Sequence, residues 1–97
     1  MARIEPAPEV LQDFDRFFDP LAQFEAEDIP ARLAEIIRAL QILAHSPLIG
    51  RKVAGDKREL VIGQGSRGYI ALYRFVADLD TVFVLALRSQ REAGFKH

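Results

Sequence analysis

Three segments rich in β-branched and aromatic residues follow one another closely in the second half of the chain, and they constrain the fold more than any other feature. They are RELVIG (58–63), GYIALYRFVA (68–77) and TVFVLALR (81–88), separated by the turn sequences QGSR and DLD. Because turns this short join neighbouring antiparallel strands, the sequence predicts a three-stranded meander. The last segment is apolar on both faces, which predicts a central position in the sheet.

A strand and a first helix are predicted ahead of this sheet. The stretch ARIEP (2–6) indicates a short edge strand that prolines end. From Glu9 onward, apolar residues recur with helical spacing along one stripe. Pro20 lies inside this pattern, so the helix is predicted to kink or stop near Phe18.

A second amphipathic helix is predicted from about residue 29. Asp28 is the expected N-cap, Pro30 suits the first turn, and HSPLIG (45–50) ends the helix. Since 97 residues make one domain, residues 1–97 are predicted to form a single α+β domain. Its two layers are an N-terminal strand with a helical hairpin, and the antiparallel sheet on which they pack.

Composition excludes several classes of site. The chain has no cysteine, so a disulfide or thiolate metal site is excluded, and no metal or other cofactor is expected. MARIEP lacks the apolar core of a signal peptide and no apolar run is long enough to span a bilayer, so a cytoplasmic protein without a membrane partner is expected. Gly63, Gly65 and Gly68 match a dinucleotide-binding pattern, but a strand follows them instead of a helix, which predicts a hairpin turn.

Charge divides the chain into two halves. Residues 1–48 carry nine acidic and four basic side chains, whereas residues 49–97 carry nine basic and five acidic ones. In the predicted meander, Arg58 begins one strand, Arg74 lies midway along the next and Arg88 ends the third. Two interpretations stay open: these arginines converge on one patch that binds an anionic partner, or they form a solvated rim that protects the sheet edge.

The amino-acid sequences of these segments resemble those of a known protein family. SPLIGRKV, RELVI, GYIALYRF and VFVLALRSQREAGF occur in the order found in the RelE/ParE superfamily of type II toxin–antitoxin toxins, also described as plasmid stabilisation proteins. The resemblance covers most of the chain and is densest in the last 50 residues. It implies a strand, a helical hairpin and an antiparallel sheet, in agreement with the architecture predicted above.

The resemblance implies one of two mechanisms. RelE-like members are ribosome-dependent mRNA endonucleases, which need cations and groups that transfer protons. Many of them have Arg after the GY of the middle strand and lysines on the strand before it, whereas this chain has Ile70 and a lysine-free ELVIG. Ser89 stands where close relatives usually have His. The net charge of −1 is also unfavourable for docking on ribosomal RNA.

These departures favour the ParE-like mechanism, in which the toxin binds and inhibits DNA gyrase without being an enzyme, so no catalytic residue is assigned. The alternatives are a RelE-like mRNA endonuclease and a non-toxic module that only binds an antitoxin. The expected partners are a cognate antitoxin, in a hetero-oligomer, and DNA gyrase, with no sequence-specific DNA binding by the chain alone. The candidate target contacts are Arg58, Arg74, Arg88, Arg91 and Lys96. The candidate antitoxin contacts are Phe14, Phe17 and Phe18.

Overall fold

The protein consists of two helices packed on one face of a five-stranded sheet. The computed structural model describes residues 1–97, with side chains at every position except 66. The elements are β1 (Arg3–Pro6), α1 (Glu9–Phe24), α2 (Ile29–His45), β2 (Arg51–Val53), β3 (Lys57–Ile62), β4 (Tyr69–Val76) and β5 (Thr81–Ser89). Among the helices so described, neither α1 nor α2 has the length and apolarity needed to cross a bilayer.

The strand order in the sheet is β1-β5-β4-β3-β2. The predicted meander of β3, β4 and β5 is confirmed, and β5 lies between two neighbours, as its apolar faces predicted. β1 is an edge strand, as predicted, but it runs parallel to β5, so the sheet is mixed. β2, which was not predicted, pairs antiparallel with β3 and forms the other edge.

The core lies between the helices and one face of the sheet. Ile36, Leu40 and Leu43 form the buried stripe of α2. The alternate residues Tyr69, Ala71 and Tyr73 of β4 lie in the same cluster, together with residues of β5. By the same alternation, Ile70, Leu72 and Arg74 lie on the face of the sheet opposite the helices.

The prediction that the first helix kinks or stops near Phe18 was wrong about its end, because α1 continues through Pro20 to Phe24. Pro20 is exposed, so water can satisfy the carbonyl group that loses its helical donor there. Asp28 directly precedes α2, as predicted, but its side chain makes no capping hydrogen bond. It lies instead 3.5 Å from the guanidinium of Arg67.

The three glycines of the dinucleotide-like pattern lie in the connection between β3 and β4. Gly63 and Gly65 have φ of +75° and +60°, values that favour glycine. A short 3₁₀ turn (Gly65–Arg67) and then β4 follow them. The turn predicted at this position is therefore confirmed, and no helix N-terminus follows the glycines.

Candidate functional site

A buried carboxylate joins α1 to the end of β5. Asp13 is fully buried, and its Oδ2 accepts a hydrogen bond of 2.8 Å from the backbone N–H of Leu87. Its Oδ1 accepts a second bond of 2.6 Å from Arg16 and lies 2.9 Å from Nε2 of His97. Because burying a carboxylate without partners is costly, these contacts explain how Asp13 is accommodated on the inner side of α1.

Arg16 links this carboxylate to the segment that follows β5. Its Nε donates to Oε2 of Glu92 at 2.8 Å, and its NH2 donates to the carbonyl oxygen of Leu87 at 3.1 Å. Burial opposes ionisation of Glu92, but hydrogen bonds from Arg16 and the Ser89 N–H outweigh it and hold the pKa of Glu92 below its ordinary value. The ion pair therefore holds the end of the chain against α1.

The segment after β5 also engages two of the candidate target contacts. Arg88 donates to the carbonyl oxygens of Glu92 at 2.8 Å and Ser89 at 3.3 Å, and its guanidinium lies 5.4 Å from the ring centroid of Phe95. Nζ of Lys96 lies 3.7 Å from Oε2 of Glu92. Arg88 thus has a structural role in positioning the chain end, whatever else it contacts.

A cavity of about 640 Å³ opens between the helical hairpin and this end of the sheet. Four guanidinium groups border it, contributed by α1, α2, the β3–β4 turn and the segment after β5. The side chains of Phe17 and Tyr69 form its aromatic wall. We call it the arginine cavity, and its defining residues are Arg16, Arg32, Arg67, Arg91, Phe17 and Tyr69.

The four arginines of this cavity differ in how far their charge is compensated. Arg16 is paired with two carboxylates, as described above. Arg32 donates from NH1 to the hydroxyl of Tyr69 at 3.2 Å, a contact that raises the pKa of Arg32. Its Nε is buried and has no acceptor among the described residues. Among the described residues, Arg67 contacts one carboxylate, that of Asp28, and the side chain of the exposed Arg91 makes no hydrogen bond.

The structure brings together two of the three arginines that one of the two sequence-based interpretations placed on one patch. Arg58 and Arg74 border a second cavity of about 570 Å³, together with Lys52 and Lys57. Arg58 donates to the carbonyl oxygens of Leu48 at 3.0 Å and Gly50 at 2.8 Å. Arg74 donates to that of Gly55 at 3.0 Å.

Arg88 does not join that second cavity. It pairs with Ile70 in the sheet, whereas Arg58 pairs with Tyr73, a separation of about 10 Å along β4 at roughly 3.3 Å per residue. Arg58 shares the sheet face of the buried Tyr73. Arg74 and Arg88 both lie on the opposite face, but Arg88 pairs with Ile70, four residues before Arg74 on β4, a separation of about 13 Å. Of the two interpretations, the one in which all three arginines converge on one patch is therefore wrong, because Arg88 does not border the cavity that Arg58 and Arg74 share.

The three phenylalanines of α1 are half-buried and pack against the core. The rings of Phe14 and Phe18 stack at 6.0 Å between centroids. Phe17 lies 4.8 Å from Tyr69, with the guanidinium of Arg16 5.0 Å from its ring centroid. Each phenylalanine thus contributes to the core and keeps part of its ring accessible.

The two positions that depart from the nuclease pattern differ in their environment. Ile70 is buried in the sheet between Val61 and Arg88, its partners on the neighbouring strands. Ser89 borders the arginine cavity, and its Oγ accepts the backbone N–H of Arg91 at 3.2 Å. No histidine is found among the described residues that border this cavity.

Several residues of the site were not identified from the sequence. They are Asp13, Arg16, Arg32, Tyr69 and Glu92. Asp13 and Arg16 have the i, i+3 spacing of a helical ion pair, a signal that was available. The contacts of Arg32 and Glu92 join distant parts of the chain, and nothing in the local sequence indicates them. The described residues also include no cluster of three or more His, Asp or Glu side chains suited to a metal ion.

The comparisons with a family model and with solved structures both match toxins, including those of type II toxin–antitoxin systems. The family model described as "ParE toxin of type II toxin-antitoxin system, parDE" matches residues 4–94. A structure of the chromosomal ParDE toxin–antitoxin system from P. aeruginosa has a TM-score of 0.74 and 15% sequence identity, and the alignment covers 92% of this chain and 96% of that one. No curated protein matches the sequence.

Two further solved structures are similar in fold. The intact E. coli RelBE toxin–antitoxin complex gives a TM-score of 0.56 at 18% identity, covering 95% of this chain and 100% of that chain. A metal-bound toxin from Helicobacter pylori gives 0.54 at 16% identity, covering 97% and 100%. At these identities the likeness supports the fold, and the family model carries the assignment to a family.

Proposed function

Since the chain belongs to the ParE toxin family of type II toxin–antitoxin systems, we propose that it inhibits DNA gyrase by binding it and that a cognate antitoxin neutralises it. The toxin then acts as a binding protein and needs no chemistry of its own. Its exposed basic side chains supply the contacts with the target. Arg74 on β4 and Arg91 in the segment after β5 are the main candidates, because both side chains are exposed.

The composition of the arginine cavity is the observation that carries this proposal. RNA cleavage needs a group that exchanges protons near neutral pH, and histidine is the side chain best suited to it. At the end of β5 the chain has Ser89, which does not titrate there. Glu92 is ionised and held by Arg16, so it is a poor proton donor at neutral pH. The cavity therefore favours binding over nuclease chemistry.

The remaining target candidates have a smaller role in this proposal. Arg58 is anchored to two carbonyl oxygens of the α2–β2 connection, and Arg88 is anchored to the segment after β5. Lys96 is exposed but lies near Glu92. Substituting Arg58 or Arg88 would disturb the fold as well as any interface, so these two residues are less informative in a binding test.

The antitoxin is the second proposed partner. The ParDE and RelBE structures with similar folds are toxin–antitoxin assemblies, which supports an antitoxin for this chain as well. Phe14, Phe17 and Phe18 form a half-buried aromatic stripe on α1, and an amphipathic segment of the antitoxin would bury the accessible parts of these rings. This contact would stabilise the complex through the hydrophobic effect.

The test compares two activities of the purified chain. Relaxed plasmid is supercoiled by DNA gyrase while the chain is titrated in, and ribosome-dependent cleavage of an mRNA is followed in parallel. The proposal expects inhibition of supercoiling and intact mRNA. Cleavage of mRNA with unaffected gyrase would replace it with the RelE-like alternative. Absence of both activities in a chain that still binds its antitoxin would establish a non-toxic antitoxin-binding module.

A further inference from the structure

We propose that the arginine cavity is a recognition site for an acidic side chain on the antitoxin, with Arg32 as its central contact. This inference rests on the proposed antitoxin partner and adds the chemistry by which that partner is held. The occupant is a Glu or Asp carboxylate in a peptide segment, with an apolar residue beside it.

The state of Arg32 is the first argument. A buried guanidinium N–H without an acceptor is unfavourable, and the Nε of Arg32 has none among the described residues. Among the residues whose side chains are described, the only side-chain partner of its NH1 is the neutral hydroxyl of Tyr69. A carboxylate placed against Nε and a terminal nitrogen would accept two parallel hydrogen bonds, the arrangement that suits guanidinium best.

The balance of charge around the cavity is the second argument. Arg16 is already compensated by Asp13 and Glu92 and Arg67 lies 3.5 Å from Asp28, which leaves Arg32 and Arg91 without a paired carboxylate among the described residues. Glu25 also borders the cavity. The side chains around the cavity thus carry a small excess of positive charge, which suits a single carboxylate. It does not suit a nucleic-acid strand, whose successive phosphates need a run of cations without carboxylates among them.

The shape and lining of the cavity are the third argument. Phe17, Leu21 and Tyr69 give it an apolar wall directly beside Arg32. In a helical peptide, residues three or four positions apart lie side by side, so one turn can present an acidic and an apolar side chain together. The same wall continues into the aromatic stripe of α1. The acidic contact would therefore fix the register of a helix whose apolar face packs on that stripe.

Nuclear magnetic resonance gives a direct test on the intact chain. The Nε–Hε signal of Arg32 is followed while three probes are titrated in: a short amphipathic helical peptide of Leu and Glu, the same peptide with Gln for Glu, and single-stranded oligothymidine. We expect the Glu peptide to shift the Arg32 signal and to bind at least about tenfold more tightly than the Gln peptide, the change expected from losing one charge-assisted hydrogen bond.

Substitutions distinguish recognition by the planar guanidinium of Arg32 from attraction by its positive charge alone. Arg32→Lys keeps the positive charge but loses the planar pair of donors, so it should weaken binding of the Glu peptide about tenfold. Arg67→Gln changes an exposed residue of the same cavity, so it tests the cavity even if the Arg32 variant does not fold. It should weaken binding of the Glu peptide by a smaller factor than Arg32→Lys does. Arg38→Gln, an exposed position on α2 outside the cavity, should leave binding unchanged.

Three outcomes would overturn the inference. They are equal binding of the Glu and Gln peptides, unchanged binding after both Arg32→Lys and Arg67→Gln, and displacement of the Glu peptide by oligothymidine with a larger shift of the Arg32 signal. The last outcome would assign the cavity to nucleic acid. The gyrase assay is independent of this test: if the Glu peptide binds through Arg32 but gyrase is unaffected, the inference stands and the gyrase proposal fails.

Discussion

The backbone N–H of Leu87 donates a 2.8 Å hydrogen bond to Oδ2 of Asp13, which joins the end of the last strand to the first helix. The carboxylate is fully buried. Its other oxygen holds Arg16, which in turn holds the segment after β5. One acidic side chain thus organises the wall of the arginine cavity that α1 and the chain end share.

Asp13→Ala should therefore destabilise the fold strongly. The substitution leaves a buried N–H of Leu87 unsatisfied and removes a carboxylate from Arg16, for a combined loss of about 3 kcal/mol in the free energy of unfolding. Urea denaturation measures this loss. Asp15→Ala is the matched control, because Asp15 is exposed on the same helix. Equal effects of the two substitutions would show that the buried contacts contribute little.

Gly50 is predicted to be intolerant of a side chain for reasons of space. Its N–H donates to the hydroxyl of the buried Tyr73 at 2.8 Å, and a Cβ at this position would lie 2.6 Å from the carbonyl oxygen of Glu59 and 2.7 Å from that hydroxyl. Gly50→Ala should therefore lower the stability by about 2 kcal/mol, since the backbone has to move. Thermal unfolding measures the change.

Gly94→Ala provides the comparison for this prediction. A Cβ at Gly94 would meet no atom within 4 Å, so the substitution should change the melting temperature little. If Gly50→Ala melted at the same temperature as Gly94→Ala, the close approach of Gly50 to β3 and β4 would not be a constraint on the fold.

The fold was largely predictable because its signals are periodic and local. The period of the apolar residues identified both helices, and the short turns identified β3, β4 and β5. The end of α1 was mispredicted because Pro20 counts as a helix breaker in the sequence, and only its exposure in the structure explains why the helix tolerates it. β2 was missed because Arg51–Val53 is short and mostly polar and gains its strand conformation from pairing with β3.

The candidate site was less predictable because it depends on contacts between distant residues. Arg91 was chosen from the sequence and does border the arginine cavity. Arg32 was not chosen, since an arginine on an amphipathic helix looks like any other solvated charge. Its significance comes from Tyr69, which lies 37 positions away. Arg88 is the opposite case, because its position at the end of a strand suggested an interface, whereas its guanidinium donates to the backbone carbonyl oxygens of Ser89 and Glu92.

The stability of the protein should depend on the ionisation of Glu92. Its folded-state pKa lies below the ordinary value of 4.5, so its contribution is complete above about pH 4.5 and is lost as the pH falls through the lower, folded-state pKa. Glu92→Gln should therefore destabilise the protein at pH 7, by about 2 kcal/mol for a hydrogen bond to a charged group. The difference from the parent protein should shrink towards pH 3.

Thermal unfolding at a series of pH values tests this dependence. Glu27→Gln is a suitable control, because Glu27 is exposed and should give a small difference at every pH. A difference between the parent protein and Glu92→Gln that stayed constant down to pH 3 would mean that the ionised carboxylate is not what Arg16 stabilises.

Arg91 is the target contact that can be tested with least risk to the fold. It is exposed, and its side chain makes no hydrogen bond to the described residues, so Arg91→Ala should unfold at the same temperature as the parent protein. If it contacts gyrase, the concentration needed to inhibit supercoiling by half should rise about tenfold, as for an interface residue worth more than 1 kcal/mol.

Arg38→Ala, which removes an exposed arginine of α2, should inhibit like the parent protein. Unchanged inhibition by Arg91→Ala would move the target surface to the second cavity, where Arg74→Ala is the corresponding substitution.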